Sequence, residues 1–151
     1  AAMTRRNMLV LLASLPVFAC RQRGASTPPE IRYGRDICAE CGMIVSDPRF
    51  AAAAAPANGD PVVFDDIGCL LRYREKRQPQ WVAVWVHDYE TEAWLEAQAA
   101  QYLVSPAIRS PMGYGIATFS SPDAARARQT TLGGELLDWN ALSARPIERP
   151  R

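Results

Sequence analysis

The chain has 151 residues, a formal charge of +1, 48% apolar and 22% charged side chains, enough for one domain or two small packed halves. A chain so near neutrality has no broad basic surface for nucleic acid, and its composition excludes a coiled coil or a disordered acidic chain. Twelve prolines and nine glycines predict short elements joined by turns, and the single histidine, His87, excludes a three-histidine metal site.

Arg5 and Arg6 precede an uncharged apolar run from Met8 to Ala19. A positive flank before 7–15 apolar residues is the layout of a secretory signal, and the run is short for a membrane span. It ends Val17-Phe18-Ala19-Cys20, a small residue directly before a cysteine, as in bacterial lipoprotein signals. Residues 1–20 are therefore read as a lipoprotein-type signal with Cys20 as the lipidation site. Thr4-Arg5-Arg6 also fits a twin-arginine signal, and an uncleaved membrane anchor is a third reading. All three hold the folded part outside the cytoplasm, at the periplasmic face of a bacterial cell membrane. Residues 21–30, rich in Gly, Ser and Pro, read as a flexible tether.

The folded domain is expected over residues 31–140, with 141–151 as a tail. Arg49 to Ala55 carries no stripe of large side chains and makes a poor amphipathic helix. It runs into Asn58-Gly59, a strong hairpin signal, and Pro61 to Phe64 follows as a second strand. Asp65-Asp66 suits the cap of a helix through Ile67, Leu70, Leu71 and Tyr73 to about Lys76. Trp81 to Val86 is a buried strand, so residues 31–89 read as ββαβ. The second half, 90–140, repeats the theme. Thr118-Phe119-Ser120-Ser121 leads into a helix 55 residues after Val63-Phe64-Asp65-Asp66, with Ser121 as cap, Pro122 at the first helical position and Gly133-Gly134 as the stop. Glu135 to Trp139 then falls where the strand from Trp81 falls in the first half. Trp94 to Val104 is read as one extended segment. The fold class expected is α+β, two similar ββαβ halves packed together.

Chemistry concentrates in Cys38-Ala39-Glu40-Cys41-Gly42-Met43. Two cysteines at this spacing either turn both sulfurs on one ion or form a disulfide. Gly42 permits a tight turn that returns the Met43 thioether to the same point, although Met43 could equally be core. Thiolate with thioether is a soft donor set that selects Cu(I) over harder ions. Cys69, in the first turn of a helix capped by Asp66, is a third candidate ligand whose thiolate the helix dipole would favour, or else an ordinary buried cysteine. With Cys20 lipidated, three thiols remain, and an odd number points to a ligand or a reactive group. Met112, between Pro111 and Gly113, lies in a turn rather than on a periodic apolar face, which makes it a further ligand candidate. His87, at the end of its strand, is a ligand or a structural residue. No serine-hydrolase elbow, phosphate loop or paired zinc motif occurs.

Cys41-Gly42-Met43, Arg49-Phe50-Ala51-Ala52, Phe64-Asp65-Asp66-Ile67-Gly68-Cys69, Val86-His87-Asp88-Tyr89, Trp94 and Ser110-Pro111-Met112-Gly113 together resemble the NosL family, accessory lipoproteins of nitrous-oxide reductase. The resemblance runs from about Asp36 to Ala127. It implies no enzymatic activity but Cu(I) binding outside the cytoplasmic membrane and delivery to a client copper enzyme. A membrane copper-export or ABC-type complex is a further implied partner. The fold implied is a pair of ββαβ halves like those of the organomercurial-lyase family, and the ligands carried over are Cys41 and Met112. Cys38 and Cys69 are additions to the pattern. The competing functions are an envelope thiol-disulfide protein using Cys38 and Cys41, and an organomercurial lyase using Cys41, Cys69 and Asp65 or Asp66.

Overall fold

A computed structural model describes residues 27–148; the signal segment, Cys20 and most of the tether lie outside the described residues. The element order is β1 (Ala52–Pro56), β2 (Val62–Phe64), α1 (Ile67–Arg77), β3 (Trp81–His87), β4 (Trp94–Glu96), β5 (Gln101–Val104), β6 (Ile116–Phe119), α2 (Pro122–Leu132), β7 (Glu135–Leu137) and α3 (Trp139–Ala144). Two antiparallel sheets form, ordered β2-β1-β3-β4 and β6-β5-β7. In each half the first strand is central, the second and third strands flank it, and the helix links the second to the third. The ββαβ repeat is thus present in both halves, and α1 and α2 are each eleven residues long.

The helix ends follow from local chemistry. Asp66 caps α1 by accepting from the Gly68 N–H, and Ser121 caps α2 by accepting from Ala124. Gln78, in the left-handed region at φ 45°, ends α1 just before Pro79. Central strand β1 is buried on both faces. Ala52 and Ala54 face the main core with Phe64, Ile67 and Leu70, while Ala53 and Ala55 pack with Trp85. Small side chains there leave room for the indoles on one side and the helix on the other, which is why the alanine run is strand. The halves are joined where β3 ends. The Tyr89 N–H donates to the Thr118 carbonyl at 2.8 Å, and buried Asp88 accepts from Ser120, Glu90 and Thr91. Burial would raise the Asp88 carboxyl, but the N–H groups of Thr91, Ser120 and Glu90 outweigh it and hold the group below its ordinary value.

Two expectations are corrected. Trp94 to Val104 is not one strand. β4 adds to the first sheet beside β3, the chain turns at 97–100, and β5 opens the second sheet. The Tyr102 hydroxyl pins that turn by donating to the Ala97 carbonyl at 2.6 Å. The segment read as a tail from residue 141 also continues folded. α3, capped by Asp138, runs to Ala144 and buries Leu142 completely. Among the described residues no helix is long and apolar enough to cross a membrane.

Candidate metal centre

Residues 36–45 fold into a tight hairpin ahead of β1. Ile37 bridges to Ile44, the Cys38 N–H donates to the Met43 carbonyl at 2.8 Å, and the Gly42 N–H donates to the Cys38 carbonyl at 3.0 Å. Gly42 has φ +74° with open space where a Cβ would stand, so glycine is needed for the backbone conformation rather than for room. The turn brings Cys41 back towards Cys38. Two bonds fasten the hairpin to the sheet and helix behind it: Ala39 N–H to the Val63 carbonyl, and Ser46 N–H to the Asp65 carboxylate.

Cys69 rises from the first turn of α1 to meet the hairpin. The sulfurs of Cys38, Cys41 and Cys69 lie within 4.8 Å of one another, and all three are free thiols. Among the described residues no other such grouping of His, Cys, Asp or Glu occurs. Cys38 and Cys69 are buried and Cys41 is half-buried. A hydrogen bond from the Cys69 thiol lowers Cys38 to about 5, against the effect of burial and with help from the Cys41 backbone N–H. Cys69 is pushed up by the same bond and then by burial, and burial also raises Cys41. The hydrogen bond between Cys38 and Cys69 thus favours one shared thiolate in the cluster over three neutral thiols. The neighbouring Cys38 and burial raise Cys69 and so work against the helix dipole expected to favour its thiolate.

The second half supplies the remaining wall. Pro111 and Met112 sit in a turn closed by the Gly113 N–H to the Ser110 carbonyl at 3.0 Å. Asp66 holds this turn against α1. One carboxylate oxygen caps the helix at Gly68, and the other accepts from the Met112 N–H at 2.9 Å. The Tyr114 ring lies directly over Gly68, where a Cβ would stand 1.9 Å from the ring. The result is a cavity of about 360 Å³ lined by Cys41, Cys69, Met43, Met112 and Tyr114, with Glu40, Arg72 and Lys76 beside them. Glu40 pairs with Lys76 and, at 3.7 Å, with Arg72. Sequence reasoning missed these three. Arg72 and Lys76 follow Cys69 by three and seven residues, one face of a helix, and that spacing was the available signal.

Five of the predicted site residues thus converge: Cys38, Cys41 and Cys69 as a cluster, with Met43 and Met112 on the cavity that Cys41 and Cys69 line. His87 does not join them. Its Nδ1 bonds the Ala51 carbonyl at 2.8 Å, its Nε2 faces the Tyr33 hydroxyl at 3.3 Å, and its ring lies 3.7 Å from that of Trp94, tilted by 34°. Tyr33 is pushed up to about 12, first by burial, so it keeps the proton it offers to Nε2. Burial lowers His87 and keeps it neutral in the fold. The unfolded chain then takes up a proton that the folded chain resists, so the stability contributed by His87 is fully present above about pH 6.5 and is lost as pH drops below that value. Urea unfolding of the reduced, metal-free protein at about pH 7.5 and 5.5 should show this loss, and His87→Gln should reduce it. Cys38 adds to the slope in both proteins alike. An identical slope in the variant would mean that His87 titrates normally in the fold.

The family model for NosL matches residues 32–146. The crystal structure of the copper chaperone NosL from Shewanella denitrificans aligns with a TM-score of 0.66 at 20% identity, covering 76% of this chain and 93% of that one. No curated protein matches the chain significantly. The two small antiparallel sheets with their linking helices are the fold of that structure, and the family match spans both ββαβ halves. The chain belongs to the NosL family.

Proposed function

We propose that this protein binds Cu(I) through the cysteine cluster and passes it to a copper enzyme, with nitrous-oxide reductase as the client. The observation that carries the reading is the convergence of three sulfurs within 4.8 Å beside a cavity lined by two methionines. Thiolates and thioethers are soft donors, and the absence of an imidazole or carboxylate from the cluster disfavours harder ions. The related chaperone structure supports copper as the cargo. Copper entering the site displaces the thiol protons of Cys41 and Cys69, so binding tightens as pH rises. Few ligands suit hand-over, because a client's donor can attack through the half-buried Cys41 side before a thiolate leaves. The protein then acts by binding and transfer and catalyses no reaction. The run from Met8 to Ala19 ending at Cys20 supports a lipid anchor at the periplasmic membrane face.

A dithiol enzyme fits the site less well. Its attacking thiolate must be reachable, but the low-lying Cys38 is only 2% exposed, and the accessible Cys41 is the raised one. An anaerobic Cu(I) titration of residues 21–151 against a competing chelator tests the reading. One Cu(I) per chain is expected, and two independent equal sites would contradict it. Met112→Ala should weaken binding by about tenfold, or ~1.4 kcal/mol, while barely changing reactivity towards a disulfide reagent. Unchanged affinity in the folded variant would remove Met112 from the site.

A further inference from the structure

Five large apolar side chains stay exposed among the described residues, and four of them, Tyr33, Ile37, Met43 and Ile44, lie within one twelve-residue stretch. Ile37, Met43 and Ile44 are 53%, 57% and 49% exposed, on the very hairpin that carries Cys38 and Cys41. The Ile37–Ile44 bridge sets the two isoleucines side by side, while their neighbours Cys38 and Val45 turn inward. Nothing in the hairpin's own folding requires isoleucine at the outward positions, where a polar residue would be the ordinary occupant. A groove of about 350 Å³ continues from this edge, lined by Met43, Ile44, Pro111, Met112 and Arg109 among others. It adjoins the cavity beside the cysteines, because Met43 and Met112 line both. Two carboxylates also line this groove, Asp47, which pairs with Arg49, and Asp65, which is buried, so the exposed unpaired charge is cationic. Arg109 and Arg35 are exposed and make no ion pair among the described residues, and Glu40 is shared between two cations.

We infer that the Ile37–Ile44 hairpin edge and the Met112 turn form the docking face for the copper-exchange partner, a protein that presents an apolar patch flanked by carboxylates. This rests on the copper reading above. Ligand exchange requires the partner's donor atom to reach the coordination sphere, so the partner must cover this face. Apolar contact there expels water around the transferring ion, and the arginines steer an acidic rim into register. A lipid surface would satisfy the isoleucines and arginines but brings no soft donor to the copper. A second copy would set the unpaired Arg109 and Arg35 against their own like, because Asp47 is already paired with Arg49 and Asp65 is buried.

The test loads the protein with Cu(I) and follows transfer to copper-free nitrous-oxide reductase, with withdrawal by bicinchoninate as the parallel arm. Ile44→Asp and Arg109→Glu should each slow transfer to the enzyme by about tenfold and leave withdrawal by the chelator within about twofold. Added salt should slow the wild type and not Arg109→Glu. Circular dichroism checks that both variants fold. Unchanged transfer by the variants would overturn the docking face. So would wild-type binding to phosphatidylglycerol vesicles, or a wild-type dimer in ultracentrifugation, that Ile44→Asp abolishes. A wild type that holds copper yet gives none to the enzyme overturns the proposed partner. One that holds no copper in the chelator arm overturns the copper reading, and the docking face with it.

Discussion

Cys69→Ser is expected to weaken Cu(I) binding by at least about a hundredfold, or ~2.7 kcal/mol. Serine is nearly the same size as cysteine, so the packing of this buried position at the start of α1 should persist. What changes is the donor. A hydroxyl stays protonated near neutrality and is a hard oxygen ligand, whereas the Cys69 thiol gives up its proton to copper and becomes a soft thiolate. The introduced hydroxyl can still donate a hydrogen bond to Cys38, so the Cys38 thiolate should remain low and available. The two effects of Cys69, proton donor in the empty site and ligand in the filled one, are thereby separated. Chelator competition measures the loss, and X-ray absorption should count one sulfur fewer around the copper. A folded variant with wild-type affinity would make Cys69 a buried neighbour of the site and not a ligand. The same measurement on Cys38→Ser removes the other partner of the Cys38–Cys69 hydrogen bond, so it changes the proton balance of the empty site as well as the ligand count.

How much of this was legible in the sequence differs between the fold and the site. The repeat was legible because helix starts are written locally. Asp66 and Ser121 each sit one residue before an apolar or proline start, and their common offset marks two copies of one unit. The break inside Trp94 to Val104 was not legible. Ala97 to Ala100 has little side chain to declare a turn, and what fixes it is the Tyr102 hydroxyl and the Ala97 N–H to the Val84 carbonyl, both set by tertiary packing. Trp139 was read as the end of the last strand and Leu142 as part of a tail, because α3 is too short for a periodic pattern. At the site, the spacing of Cys38 and Cys41 and the turn at Gly42 were readable residue by residue. Cys69 could be proposed from its place on a helix, but its meeting with Cys38 depends on how the hairpin folds onto α1. His87 shows the opposite failure. A lone histidine at a strand end looks available, yet its partners Ala51 and Tyr33 are 36 and 54 residues away in the chain.

Gly68→Ala should destabilise the protein by about 3 kcal/mol or more, although the same change inside an exposed helix ordinarily stabilises by about 1 kcal/mol. The reversal of sign comes from the Tyr114 ring. An added Cβ would stand 1.9 Å from its Cγ and 2.2 Å from its Cδ2, closer than any van der Waals contact. Neither side can yield cheaply. Asp66 fixes the first turn of α1 through the Gly68 N–H, and Tyr114 is only 2% exposed, set between the cavity and the core. Relief requires the whole turn that carries Met112 to move away from α1, which strains the Asp66 bond to the Met112 N–H. Gly68 is therefore the position at which the second half is allowed close enough to contribute a thioether to a site built by the first. Copper affinity should fall along with stability, to about the level of Met112→Ala. Urea unfolding of Gly68→Ala, Tyr114→Ala and the double variant separates the clash from any general helix effect. If the ring is the cause, the double variant should be more stable than the sum of the two single losses predicts, by at least about 1 kcal/mol. Simple additivity, or a stabilised Gly68→Ala protein, would show that the ring does not press on this glycine and that the approach of the Met112 turn is held by Asp66 alone.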